Sequence, residues 1–295
     1  MMLQEAKEKT ISVAIQGGYG SFHEIAAREF FDGNPIEIMP CDTFEDLFYE
    51  LSQKKVDSAI VAIENSVAGS ILPNYAKLRN AGLWVAGEAY LRIVQNLVAL
   101  PGQTIDDIRE IHSHPVAIQQ CSIFLEDLRR KGVRVVESVD TALSAKWISD
   151  NNLKGIGAIA SKRAAEMYNL QILAEEVEAD RQNFTRFLLV SGEEHVLSID
   201  KIAGSIIDKS MVCFSLPHKV GSLSQVLSVL AYYQVNLTKI QSLPVIGKAW
   251  EYLFHIDLQF SDYKQYRLAL DAIRPLTEHL EILGEYKHGA MPELD

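Results

Sequence analysis

Ser58-Ala59-Ile60-Val61-Ala62-Ile63 is an unbroken apolar run, with no alternation of polar and apolar residues. A strand with one wet face alternates, so a continuous run of this length reads as a strand covered on both faces. That requires layers on either side of a sheet and points to α/β architecture. The run stops abruptly at Glu64-Asn65-Ser66-Val67-Ala68-Gly69-Ser70. In open α/β sheets ligands collect at the carboxyl ends of strands, and this polar burst lies at such an end. Asn183-Phe184-Thr185-Arg186-Phe187-Leu188-Leu189-Val190 has the converse order, an amide, a hydroxyl and a guanidinium ahead of an apolar run. Its polar groups are expected at a strand mouth.

The same alternation recurs along the first two thirds of the chain. Ser12 to Ile15 is a short strand running into Gln16-Gly17-Gly18-Tyr19-Gly20-Ser21. Phe22, Ile25, Ala26 and Phe30 then follow helical spacing, with Ser21 as N-cap. A strand, a glycine-rich turn and a helix N-terminus form either an anion cradle or a plain tight turn. Ile36 to Met39 is a strand, and Thr43 to Leu51 a helix with Phe44, Leu47, Phe48 and Leu51 on one face. Leu97 to Leu100 opens a second set. Glu110 to His112 leads to Ser113-His114-Pro115, where Pro115 suits a first helical turn and Gln120 lies one turn in. One helical face is expected through Ile118, Cys121, Ser122, Leu125 and Leu128. Val133 to Val136, Gly157 to Ala160 and Leu170 to Leu173 are further strands, and helices open at Thr141 and after Ser161. Two lobes with a cleft between them are expected.

From Ser191 to Ser210 the pattern lapses into Gly, Glu, Asp, Lys and Ser, read as a linker and docking segment. Beyond it come a strand from Met211 to Leu216, a helix from Ser222 to Tyr233, and a strand from Leu237 to Leu243. A further strand follows in which Tyr252, Phe254, Ile256, Leu258 and Phe260 alternate with mostly polar neighbours. A helix from Tyr263 and a strand from Ile282 to Tyr286 complete β-α-β-β-α-β, a ferredoxin-like unit with one buried and one wet sheet face.

At 295 residues the chain suits two or three domains. The formal net charge of −11, with no Lys/Arg stripe, argues against nucleic acid. No apolar run is long enough to span a bilayer, and the polar N-terminus has no secretory core. Cys41, Cys121 and Cys213 are too scattered to form a metal or redox pair. A cytoplasmic protein is expected. If its substrate is an anion, one Arg, backbone N–H groups and helix N-termini must hold it against the overall field.

Taken in order, Gly20-Ser21-Phe22, Glu64-Asn65-Ser66 with Gly69-Ser70, Ser113-His114-Pro115 with Gln120-Cys121, Thr141-Ala142, Ala158 to Ser161 and Asn183 to Phe187 resemble the motif series of the prephenate dehydratases. The resemblance covers nearly the whole chain. It implies a two-lobed, periplasmic-binding-protein-like catalytic domain over 11–190, with the second lobe near 91–180. A linker would follow over 191–210 and a ferredoxin-like ACT domain over 211–290. No chorismate mutase-like segment stands before Ile11, so a monofunctional enzyme is expected.

The implied reaction converts prephenate to phenylpyruvate with loss of water and carbon dioxide, using no metal or organic cofactor. Arogenate is the alternative substrate, and a non-catalytic, two-lobed anion sensor the alternative function. By resemblance Thr185 donates to the leaving hydroxyl, while Asn65, Ser113 and Gln120 hold substrate. Ser21, Phe22, Glu64, Ser66, His114, Thr141, Arg186 and Phe187 border it. His114 is a general acid or a turn cap, Arg186 a carboxylate partner or a structural ion pair, and Glu64 a base or a turn acceptor. Val116 stands where the family has Gln and is therefore set outside the site.

Phenylalanine is the implied effector, held near Gly221, Ser222 and Leu223, Asn236 and Leu237, and Ser242, Leu243 and Pro244, in a homodimer or homotetramer. Here Gly221-Ser222-Leu223 replaces Gly-Ala-Leu. Gln241-Ser242-Leu243-Pro244 replaces Glu-Ser-Arg-Pro, so an acid and an Arg that would hold the effector are absent.

Overall fold

The computed structural model describes residues 10–192, 206–245, 247 and 251–292. Its chain forms two compact units, one of residues 1–71, 89–187 and 291–295, the other of 72–88 and 188–290. Most of the expected linker, 193–205, lies outside the described residues.

The first lobe of the first unit is a parallel sheet of β1 (Ile11–Gln16), β2 (Ile36–Cys41) and β3 (Ser58–Asn65), with β1 in the middle. Val13 to Ile15 and Ala59 to Ile63 are almost wholly buried, as their unbroken apolar runs require. Helix α1 (Phe22–Phe30) starts at Ser21, whose Oγ accepts from the Glu24 N–H. Helix α2 (Phe44–Ser52) starts at a Thr43/Asp46 capping box. Two-residue β4 (Gly69–Ser70) folds back on β3. Next in the chain come α3 (Leu72–Asn80) and β5 (Trp84–Arg92), which the sequence reading passes over because 72–80 has no apolar period.

The second lobe is a five-stranded sheet in the order β10-β6-β9-β7-β8. Its strands are β6 (Asn96–Ala99), β7 (Glu110–Ser113), β8 (Arg134–Glu137), β9 (Ile156–Ala160) and β10 (Gln171–Ala174). β7 runs parallel to β8 and β9, whereas β6 is antiparallel to both its neighbours. One face packs on Leu97, Ile111, Cys121, Leu125 and Ile159, the other on Val98, Ala142, Ala145, Ala158 and Ala164. The helices are α4 (Pro115–Gln120), α5 (Ser122–Arg130), α6 (Thr141–Asp150) and α7 (Lys162–Met167). The single helix expected through Cys121 is thus two. The Ala179 N–H donates to the Gln120 carbonyl at 2.8 Å, taking an acceptor that a continuous helix would use. Strand β11 (Phe184–Ser191) then carries the chain towards the second unit.

In the second unit β12 (Lys209–Ser215), α8 (Ser222–Tyr232), β13 (Asn236–Pro244), β14 (Tyr252–Gln259), α9 (Tyr263–Ile273) and β15 (Glu278–Tyr286) form βαββαβ. The antiparallel order β13-β14-β12-β15 is ferredoxin-like. Its helices cover one face through Val226, Leu230, Tyr266 and Leu270.

The opposite face, expected to be wet, is not: Met211, Cys213, His255 and Asp257 are at most 1 % exposed. Within this unit α3 places the Tyr75 ring 5.3 Å from His255, and the start of β5 pairs with β15 at Val85 and Gly284. A Cβ on Gly284 would overlap the Val85 carbonyl, so that approach requires glycine. Lys209 is buried there too, its Nζ 2.7 and 2.9 Å from the two carboxylate oxygens of buried Glu88.

Candidate active site

A cavity of about 550 Å³ opens in the first unit, lined from both lobes. Helices α1, α2, α4 and α6 present their first turns to it. The lining takes in Ser21, Phe22 and His23 from α1, and Thr43, Phe44 and Glu45 from α2. His114, Val116 and Ala117 come from α4, and Val139, Asp140 and Thr141 from α6. Each helix N-terminus carries roughly half a positive charge in its unpaired N–H groups. Glu45 and Asp140 are the acidic residues of the lining, which includes no Lys or Arg. Main-chain dipoles are thus the attraction it offers an anion.

The glycine-rich turn is not an open cradle. Gly17 N–H donates to the Cys41 carbonyl, Gly20 N–H to Glu24 Oε2, and Ser21 N–H to the Gly18 carbonyl. From the second lobe Ser161 Oγ donates to the Gly20 carbonyl at 2.6 Å, and Tyr168 Oη to the Tyr19 carbonyl at 2.7 Å. Gly17 has φ +91°, a conformation that favours glycine, and a Cβ there would lie 2.5 Å from Asp140 Oδ2. Burial raises the Asp140 carboxyl above its ordinary range, while N–H groups of Leu143, Gly18 and Ala142 oppose the shift. The turn closes the two lobes on each other.

At the cavity wall β3 and β11 meet. Ser66 accepts from the Phe184 N–H and donates to the Gln182 carbonyl, fixing the entry of β11. Thr185 follows, 8 % exposed. Asn65 Nδ2 donates to Thr185 Oγ1 at 3.0 Å, to Asn183 Oδ1 at 2.8 Å and to the Phe184 carbonyl at 3.1 Å. Thr185 Oγ1 is therefore an acceptor within the protein, and its own proton is available to a ligand. Gln120 Nε2 reaches Asn65 Oδ1 at 3.4 Å and Asn183 Oδ1 at 3.3 Å, and Gln95 Nε2 donates to Gln120 Oε1 at 3.3 Å.

Both histidines of the lining are neutral at physiological pH. Burial lowers His23 to about 3, and its ring lies edge-on to Phe44 and Phe187 at 5.6 and 5.0 Å. His114 caps α4, its Nδ1 accepting from the Val116 N–H at 3.2 Å. Burial lowers its pKa against the opposing charges of Asp140 and Glu137. Its ring is engaged here as the cap of α4.

Of the residues expected at the site, Ser21, Phe22, Asn65, His114, Gln120, Thr141, Thr185 and Phe187 line the cavity; Ser113, Glu64, Ser66 and Arg186 do not. Ser113 is fully buried and donates to the Ile159 carbonyl at 2.8 Å. Glu64 pairs with Ser70 in the hairpin, and Arg186 is 4 % exposed in β11. Val116, set aside for its departure from Gln, does line the cavity. So do Gln95, His23, Phe44 and Asp140. Asp140 was legible as an N-cap before Thr141; Gln95 carried no signal.

In the second unit a smaller cavity of about 130 Å³ is lined by Leu216, Pro217, His218, Lys219, Ser222, Leu223, Tyr252 and Phe254. Gly221 precedes α8 at φ +83°, and Ser222 Oγ donates to the Pro217 carbonyl. Asn236, Leu237, Ser242, Leu243 and Pro244 lie along β13, at the edge of the sheet, and do not line this cavity.

A family model described as prephenate dehydratase matches residues 13–195. The chain is 36 % identical over 289 residues to arogenate dehydratase/prephenate dehydratase 2, chloroplastic, from Arabidopsis thaliana, across 94 % of this chain and 72 % of that protein. Two solved structures each align with a TM-score of 0.80 across 94 % of this chain. One is the prephenate dehydratase of Arthrobacter aurescens in complex with L-Phe, 27 % identical and covered over 90 % of its length. The other is GqqA, described as a quorum-quenching acylase, 30 % identical and covered over 98 %.

Proposed function

Because this chain belongs to the prephenate dehydratase family, we propose that the cavity of its first unit binds prephenate and converts it to phenylpyruvate. The observation that carries this reading is the pairing of two features. Four helix N-termini face a lining without Lys or Arg, and one hydroxyl is held as an acceptor so that it donates outward. Prephenate is a dianion with a ring hydroxyl that must leave. Main-chain dipoles receive its carboxylates, and the three longer helices, α1, α2 and α6, have nine or ten residues over which to align peptide dipoles.

In the step itself the bond from the ring to its carboxylate breaks and its electron pair enters the ring. The carbon–oxygen bond across the ring breaks, and the departing oxygen leaves as hydroxide that takes a proton from solvent to become water. Thr185 donates a hydrogen bond to that oxygen as charge develops on it. Asn65 and Gln120 hold the hydroxyl in place, and Ser21, Phe22 and Thr141 border the carboxylates. Aromatisation and carbon dioxide release drive the step, so a weak acid in the right place suffices. Phenylpyruvate formed from prephenate, followed by absorbance, tests the reading. Tight binding without turnover would instead make the protein an anion sensor.

Arogenate, named for the Arabidopsis relative, differs by an amino group and is the alternative substrate to assay in parallel. Gln120→Ala is expected to raise KM and to lower kcat about tenfold, the scale of losing the buried hydrogen bonds to Asn65 and Asn183 that keep this wall of the cavity in place. Unchanged kinetics would move the site elsewhere.

The second unit fits an ACT domain, and phenylalanine, bound by the Arthrobacter relative, is its proposed effector. The exposed edge of β13 favours a homodimer or homotetramer. With Gln241 and Leu243 in place of an acid and an Arg, each lost charge-assisted bond costs about 1.5–3 kcal/mol. Phenylalanine is therefore expected to inhibit, but more weakly than in relatives that keep both residues. Calorimetry and inhibition titrations check this; submicromolar binding, or none at millimolar concentration, would contradict it. A cytoplasmic location is part of the proposal; among the described residues no helix is long and apolar enough to cross a membrane.

A further inference from the structure

The amide network beside Thr185 has only one orientation, and it can be read off from a fixed point. The backbone N–H groups of Val67 and Ala68 reach the same Asn65 side-chain atom, at 3.0 and 2.7 Å. A backbone N–H can only donate, so that atom is Oδ1, and Nδ2 must face Thr185, Asn183 and the Phe184 carbonyl. Gln120 then meets two oxygens, Asn65 Oδ1 and Asn183 Oδ1, and must present Nε2 to them. Its Oε1 is left for Gln95, which must present Nε2 in turn. The donors run in one sense, Gln95 to Gln120 to Asn65 to Thr185.

We infer that Gln95 is a positioning residue for the dehydration: it locks the orientation of the Gln120 amide, which lines the cavity and donates to Asn65 and Asn183, the pair that sets Thr185 Oγ1 as an acceptor with its proton turned to the substrate. Gln95 is built for this. It is 2 % exposed and lines the cavity. Its main chain is held at both ends, the N–H donating to Glu178 Oε2 and the carbonyl accepting from the Val177 N–H, each at 2.9 Å. Its Oε1 has no hydrogen-bond partner among the described residues, so Nε2 is the side-chain group in use.

This inference rests on the dehydratase reading and is tested by comparing Gln95→Glu with Gln95→Leu. Were Gln95 merely filling space, the near-isosteric Glu would be the milder change. On the orientation argument it is the worse. An ionised carboxylate opposes Gln120 Oε1, and turning Gln120 over would set its oxygen against Asn65 Oδ1 and Asn183 Oδ1. Gln95→Leu removes one neutral hydrogen bond and is expected to lower kcat about threefold to tenfold. Gln95→Glu is expected to lower it about tenfold to a hundredfold at neutral pH, with KM changing less.

The second readout is pH. The introduced carboxyl would be buried, which raises its pKa, and the Glu178 carboxylate that accepts from the main-chain N–H of residue 95 adds to the rise; the Arg92 guanidinium, 3.6 Å from Glu178 Oε1, opposes that. Protonated, it becomes a donor to Gln120 Oε1. With its folded pKa raised above the unfolded one, the deficit lies above that pKa and shrinks as pH falls. Both kcat and Tm of Gln95→Glu should therefore recover towards wild type on the acid side, and those of Gln95→Leu should not. A Glu variant as active as wild type at every pH, or one milder than Leu, would overturn the inference. If wild type fails to turn over prephenate, the dehydratase reading falls. The acid-side recovery of Tm still decides the orientation of the network.

Discussion

Thr185→Val is expected to lower kcat for prephenate by about two orders of magnitude or more, the scale of losing one preorganised transition-state donor. Valine keeps the shape and β-branching that suit β11, so the strand survives. Asn65 Nδ2 loses one of its acceptors but retains Asn183 Oδ1 and the Phe184 carbonyl, so the wall of the cavity stays in place. KM should change little, because the hydroxyl acts on an oxygen that becomes charged only as it leaves. Thr185→Ser, which restores the donor, should recover most of the loss. Near wild-type kcat in Thr185→Val, with folding verified by circular dichroism, would remove the hydroxyl from the mechanism.

Lys209→Met should cost about 3–5 kcal/mol of stability, the penalty for leaving one member of a buried ion pair alone. Lys209 and Glu88 are 2 % and 4 % exposed. Both carboxylate oxygens accept from Lys209 Nζ, and Glu88 Oε1 accepts further from the Gly289 N–H at 3.1 Å. Removing the ammonium takes away the nearest positive charge from a carboxylate in a dry sheet face, where the Gly289 N–H and the His288 ring, 3.9 Å away, remain beside it. Urea denaturation of the second unit's transition measures the cost. The double variant Lys209→Met with Glu88→Leu should recover most of it, since apolar residues of similar volume replace a buried pair at little net expense. A loss below about 1 kcal/mol in the single variant would mean that the pair behaves as a solvated surface contact.

Most strands and helices of both lobes were legible because strands such as β3 and β9 are continuous apolar runs and several helices begin at a capping residue, as at Ser21, Thr43 and Ser161. Thr185, Asn65 and Gln120 were legible as polar groups at strand or helix ends. The misses have physical reasons. Ser113 looks like a donor at a strand end, yet its hydroxyl is consumed by the Ile159 carbonyl. Gln95 stands in the short connection between β5 and β6, with no helix cap or glycine turn beside it, so nothing near it in sequence announces a site. Lys209 read as part of a polar linker because sequence alone does not reveal that Glu88, far upstream, lies opposite it. His255 and Asp257 read as solvent-facing because alternation locates a second face without saying what covers it. Here α3 and the start of β5 do.

Recognition of charge by helix N-termini also sets what genetics can see. On the binding mode proposed above, an alanine scan of this cavity would register a threonine and a handful of amides, and pass silently over the peptide N–H groups proposed to meet the carboxylates. No codon alters those groups except one for proline, which deletes a single N–H and at a first helical position leaves the helix standing. Side chains of the lining can therefore be apolar, as Val116 is, without removing the attraction. Charge recognition of this kind is inherited with the fold and has no residue signature of its own.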